Sequence, residues 1–188
     1  MPDPVATIEV WLSTLQQLFN SFDPSPFHER DLDRDAEEYI ESTADEFRST
    51  LPIRLIVHLP AEQLPAARAF DVEKAVRHYF RYRYDETRRL LRFHFREGRV
   101  ALAIGISFLA ICVSLRQLAF AIPGGTVARV LQEGLLILGW VAMWRPLQVL
   151  LYDWWPIVHR SRLHARLADM EVVLRPARDS IGRTSVAL

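Results

Sequence analysis

The run Asp31-Leu32-Asp33-Arg34-Asp35 places three carboxylates at alternate positions, as a calcium-binding loop does at its start. Such a loop needs a glycine sixth and a bidentate glutamate twelfth. Here those positions hold Ala36 and Ser42, so the run reads as the acidic start of a helix. Six histidines are scattered: His28, His58, His78, His94, His159 and His164. His159 and His164 stand five apart, not the four that sets two metal ligands on one helix face. The single cysteine, Cys112, excludes a disulfide framework and any zinc site built from several thiolates. The chain contains no phosphate-binding glycine loop, dinucleotide fingerprint or nucleophile elbow. The expectation is a non-enzymatic protein with no cofactor and no metal.

The other residues with chemical potential are charges inside apolar sequence. Val100–Leu115 carries no charge, and the apolar pattern resumes at Leu118–Ile122, enough to cross a bilayer at 1.5 Å per residue. Pro123-Gly124-Gly125-Thr126 reads as a tight turn. A second span follows at 127–151. A hairpin turning at Gly124-Gly125 sets Arg116 and Glu133 at one depth, roughly 9 Å below the outer surface. There a cross-helix ion pair would lower the cost of each charge in lipid. Asp153 falls at the level of Arg96. Arg145 meets no acid at its own level, so it snorkels to the inner headgroups or pairs with a neighbouring chain. Gly98, Gly105, Cys112 and Ala119 recur every seven residues and offer a small-residue stripe to another helix.

The net charge of zero is a cancellation. Residues 1–75 hold 15 acids against 6 bases, while residues 76–99 hold 8 bases against 3 acids. Residues 158–188 hold 6 bases against 3 acids. Two arginine collars thus bracket the hairpin. By the positive-inside rule they place both termini in the cytoplasm. Arg92, Arg96, Arg99, Arg160 and Arg162 form the collar facing anionic lipid headgroups. Tyr152, Trp154 and Trp155 sit with Asp153 where an interfacial aromatic belt or an inter-subunit contact belongs. Aromatics also interleave with arginines between Arg77 and Arg96. Beside a membrane span that pattern points to lipid rather than nucleic acid.

The positioning elements follow. Val5, Ile8, Trp11, Leu12, Leu15, Leu18, Phe19 and Phe22 recur at helical spacing, which predicts an amphipathic first helix, ended by Asp23-Pro24-Ser25-Pro26. A second helix is expected over Leu32–Thr50. Ile53, Leu55, Val57 and Leu59 alternate with Arg54, Ile56 and His58, a strand with one buried face. Met170, Val172 and Leu174 alternate likewise. These two strands should share a sheet that closes the domain around both chain ends, with a third strand from a neighbouring subunit. The expected fold is therefore a mainly α membrane protein: a two-helix transmembrane hairpin with a small cytoplasmic α+β domain built from both termini. Its parts are an acidic region of two helices and a strand at 1–70, a basic helical stalk at 71–99, and spans at 100–122 and 127–151. An inner-interface helix and C-terminal strand occupy 152–176, and a mobile tail 177–188.

Several segments taken together carry a family pattern. They are Asp23-Pro24-Ser25-Pro26-Phe27, the acidic helix start, the Pro52–Pro60 strand, Glu133-Gly134-Leu135-Leu136-Ile137-Leu138-Gly139-Trp140, Trp144-Arg145-Pro146-Leu147 and Leu151-Tyr152-Asp153-Trp154-Trp155-Pro156. Jointly they resemble an uncharacterised group of bacterial two-span inner-membrane proteins with no established activity. The resemblance covers most of residues 20–176 and implies topology and location without supplying catalytic residues. The leading expectation is a protein that self-associates, or scaffolds a membrane-protein partner, through its cytoplasmic domain. The alternative is a subunit of an oligomeric channel or transport complex using Ser107, Arg145 and Gln148. That alternative is opposed by the scarcity of polar residues along either span.

Overall fold

A computed structural model describes residues 5–23, 26, 30–120 and 126–177. They fall into two compact units, Met1–Asp85 with Ser161–Leu188, and Glu86–Arg160.

The first unit is built on three strands, β1 (Ala6–Trp11), β2 (Ile53–Leu59) and β3 (Glu171–Pro176), in the order β1-β2-β3. Both pairings are parallel. Parallel neighbours need long crossovers. The first carries α1 (Arg34–Glu46). The second holds α2 (Leu64–Ala69), α3 (Val72–Phe120), α4 (Thr126–Gln148) and α5 (Trp155–Ala168). The hairpin is thus an insertion into a strand-to-strand connection, which is why both chain ends contribute to one sheet.

One face of the sheet carries Ala6 and Ile8 of β1, Ile53, Leu55, Val57 and Leu59 of β2, and Val172 of β3. Against it pack Ile40 and Ala44 of α1, Ala67 of α2, Val72, Val76 and Phe80 of α3, and Leu163 and Leu167 of α5. Burying each large aliphatic side chain contributes about 1.5–3 kcal/mol, so this single layer of helices supplies the unit's cohesion. Asp33 caps α1, its carboxylate accepting from the Asp35 N–H at 3.0 Å. One carboxylate of the acidic run is therefore spent on helix initiation.

Two expectations are corrected here. Residues 6–11 form a strand, not the first turns of a helix. Thr7, Ile8 and Val10 are β-branched and lose rotamer freedom in a helix. Pairing with β2 also buries Ala6 and Ile8 on one face. The helical spacing beyond Trp11 resolves into one 3-10 turn, Leu15–Leu18. Gln63 ties that turn down, accepting from the Leu15 N–H at 2.7 Å and donating to the Ser13 carbonyl at 3.2 Å. The third strand, expected from a neighbouring subunit, is this chain's own β1. The expected helix over Leu32–Thr50 is present but shorter, as α1, and the two expected strands do pair.

In the second unit α3 and α4 are each long and apolar enough to cross a membrane. Only 17% of the most apolar stretch of either helix is buried, whereas a core hairpin of a soluble protein would be mostly covered. Gly105 and Cys112 of the small-residue stripe face α4. A side chain on Gly105 would meet Met143 Sδ and Pro146 Cγ at 3.1 Å and the Ala142 carbonyl at 3.4 Å. Pro146 cannot donate to that carbonyl, one turn earlier, and Gly105 lets the α3 backbone come up to it. Gly139 approaches Leu109 and the buried Cys112 in the same way. After Pro146 the helix widens into a π turn, Val149–Asp153. The turn expected at 123–126 lies outside the described residues except Thr126, which opens α4. The break at 23–26 lies partly outside them, and the tail lies outside them from residue 178.

Candidate interaction surface

Inside the first unit a polar network locks α1 onto α3 and α5. Glu41 Oε1 lies 2.7 Å from Nε2 of His164, whose side chain is 3% exposed. Burial alone would push the Glu41 carboxyl up. The hydrogen bond and charge of His164, with the charge of Arg83, outweigh it and hold the carboxyl below its usual range. One turn earlier, Glu37 accepts from Arg83 Nε at 2.8 Å and from the Tyr79 hydroxyl. Burial, reinforced by Glu37, pushes that hydroxyl far above its ordinary value, so Tyr79 remains a neutral donor. The acidic helix therefore docks on the base of the basic stalk through specific pairs. Glu41 and His164 thus clamp α1 to α5.

The opposite face of the sheet is different. It presents Thr7, Glu9 and Trp11 from β1, Arg54, Ile56 and His58 from β2, and Glu171, Val173 and Arg175 from β3. Trp11 is 64% exposed and stacks on the His58 ring at 4.9 Å between centroids. Glu9 lies 3.4 Å from His58 Nε2, and Arg54 donates to Glu171 at 2.6 Å. Ile56 is buried at the centre yet stands apart from the core cluster. All-parallel sheets are normally covered on both faces. Here the described helices of the first unit pack against one face only, leaving a second face with three apolar residues among six polar or charged ones. Sequence alternation assigns Arg54, Ile56 and His58 of the second strand and Glu171, Val173 and Arg175 of the last to this face, but misses Glu9 and Trp11, because it reads that segment as a helix.

The site residues expected from sequence lie as follows. Arg116 is half-buried on α3 and Glu133 is exposed on α4. Arg145, expected to have no acid at its level, lies 4.0 Å from Asp153. The reason is local: the π turn after Pro146 redirects the helix, so an acid eight residues on comes within reach. Trp154 donates its indole N–H to the Leu150 carbonyl at 2.9 Å and packs near Phe95 and Trp155. Tyr152 and Trp155 are exposed, as are Arg92, Arg96, Arg99, Arg160 and Arg162. His78 and Asp31 line one surface hollow with Tyr79 and Tyr82. His58 lies elsewhere, on the open sheet face. Among the described residues no three metal-ligating side chains converge. No protein-family model, curated protein or solved structure matches this chain.

Proposed function

We propose that this chain is a non-enzymatic integral protein of a bacterial inner membrane, with both termini cytoplasmic, that works by self-association or by scaffolding a membrane-protein partner. The observation carrying this reading is a parallel sheet against which the described helices of the first unit pack on one face only. A face bearing the exposed Trp11 and the half-buried Val173 is a surface on which a further layer gains burial, and interfaces favour exposed aromatics ringed by polar groups. The reading places α3 and α4 across the bilayer and the collar arginines among anionic headgroups. Confinement to a membrane raises the local concentration of the sheet-bearing units, so a modest surface suffices for assembly. The resemblance to two-span inner-membrane proteins agrees with this location.

The test is stepwise photobleaching of the full-length labelled chain in liposomes containing anionic lipid, combined with cross-linking in native membranes. More than one subunit per spot, or a defined membrane partner, is expected. Strictly single-step bleaching with no cross-linked partner sinks the proposal.

A further inference from the structure

The open sheet face has a symmetry in its charges, and we infer from it that the occupant of this face is a second copy of the same chain, packed sheet to sheet about a two-fold axis. The inference rests on the self-association reading and specifies its surface.

Strand register sets the geometry. Glu9, Ile56 and Val173 form one row across the sheet. On one side of it lies the row of Thr7, Arg54 and Glu171, and on the other the row of Trp11, His58 and Arg175. Two sheets packed face to face keep their strands nearly aligned. A half-turn about the middle row satisfies this, with the strands of the two copies antiparallel. It exchanges the outer rows. Glu171 of each copy then opposes Arg175 of the other, twice per pair, and Arg54 opposes His58. Val173 meets its own counterpart on the axis, beside Ile56, which its own chain already buries. Glu9 meets Glu9 at the rim, each 3.4 Å from its own His58 Nε2.

An isologous interface must be complementary to itself. Glu9, Arg54, Glu171 and Arg175 give this face two charges of each sign, placed so that the half-turn brings Glu171 to Arg175. A surface shaped for a strongly acidic or basic partner would carry one sign. The area is consistent with a membrane setting. Three strands of six residues cover roughly 300 Å² in projection, below the roughly 800 Å² per partner of a stable complex in solution. The pairing is therefore weak in free solution and needs the confinement that a hairpin anchor provides.

Charge exchange tests it. Full-length chains carrying donor or acceptor fluorophores are reconstituted in liposomes, and association is read as energy transfer across a range of protein-to-lipid ratios. Glu171→Arg and Arg175→Glu each turn two attractive contacts into two repulsive ones. Each variant alone should associate at least about tenfold more weakly than the native chain. Mixed together, the two variants should recover association, because every arginine again meets a glutamate. The double variant E171R/R175E should pair with itself for the same reason, and its recovery excludes misfolding as the cause of the single losses. If the native chain shows no transfer, the self-association reading itself falls, and this inference with it. If the native chain associates but the single variants do so equally well, or the mixture and the double variant fail to recover, the second copy does not sit on this face. The broader reading then stands without it.

Discussion

Replacing Glu41 probes the clamp that holds α1 to the rest of the first unit. His164 is 3% exposed and its Nε2 lies 2.7 Å from Glu41 Oε1. Glu41→Ala withdraws that acceptor from a buried imidazole nitrogen, at a cost of about 1–3 kcal/mol. Glu41→Gln keeps an acceptor oxygen and loses only the charge, so it should cost less. Amide hydrogen exchange across Ile53–Leu59, the central strand, reads the opening of this unit directly. Glu41→Ala should accelerate it roughly 5- to 150-fold at neutral pH. The sign of the pH dependence follows from the depressed Glu41 carboxyl. A carboxyl lowered by folding stabilises the folded state above its unfolded value, about 4.3, and loses that contribution as pH falls through the lower folded value. The difference between the native chain and Glu41→Gln should therefore shrink as pH falls below about 4. Exchange in Glu41→Ala within twofold of native at neutral pH refutes the clamp. A Glu41→Gln effect that persists unchanged in acid refutes the electrostatic part of it.

Two further expectations concern the hairpin of the second unit. A Cβ on Gly139 would lie 3.4 Å from the Cβ of Cys112, close to the separation that a disulfide spans. Gly139→Cys should form an intramolecular disulfide with the native Cys112 under mild oxidation, seen as a redox-dependent mobility shift. Failure to oxidise in a chain that inserts normally would contradict the α3–α4 register. Gly105→Leu forces a side chain against Met143 and Pro146, and overpacking of this kind costs about 1–3 kcal/mol. Its hairpin should come apart at lower denaturing-detergent fraction than that of the native chain. An unchanged midpoint would show that the helices do not approach at Gly105.

Sequence periodicity revealed the second strand and its pairing with the last one, because Ile53, Leu55, Val57 and Leu59 alternate cleanly between prolines. It failed at the N-terminus for a physical reason. Ile8, Leu12, Leu15 and Phe19 fit a helical stripe, while the competing alternation is only Ala6, Ile8 and Val10, and pairing with the distant β2 decides between them. Glu41 and His164 are separated by 123 residues, and no local pattern announces such a pair. The Arg145–Asp153 approach was hidden because depth was judged across the hairpin, whereas the π turn brings the acid along the same chain segment. The small-residue stripe was readable because its seven-residue period lies within one helix. Gly98 and Gly105 lie against α4 residues or the π turn that follows, and Cys112 beside Gly139.

The placement of α3 and α4 across a bilayer is tested most directly by side-specific labelling of single cysteines in a Cys112→Ala background. One cysteine replaces Gly124 at the expected outer turn, and another replaces Glu62 in the sheet-bearing unit. In sealed inner-membrane vesicles and in intact cells, a hairpin with both ends cytoplasmic predicts that an impermeant maleimide reaches position 124 only from outside. Position 62 should be reached only from the cytoplasmic side. Labelling of both positions from the same side would contradict the membrane-spanning hairpin.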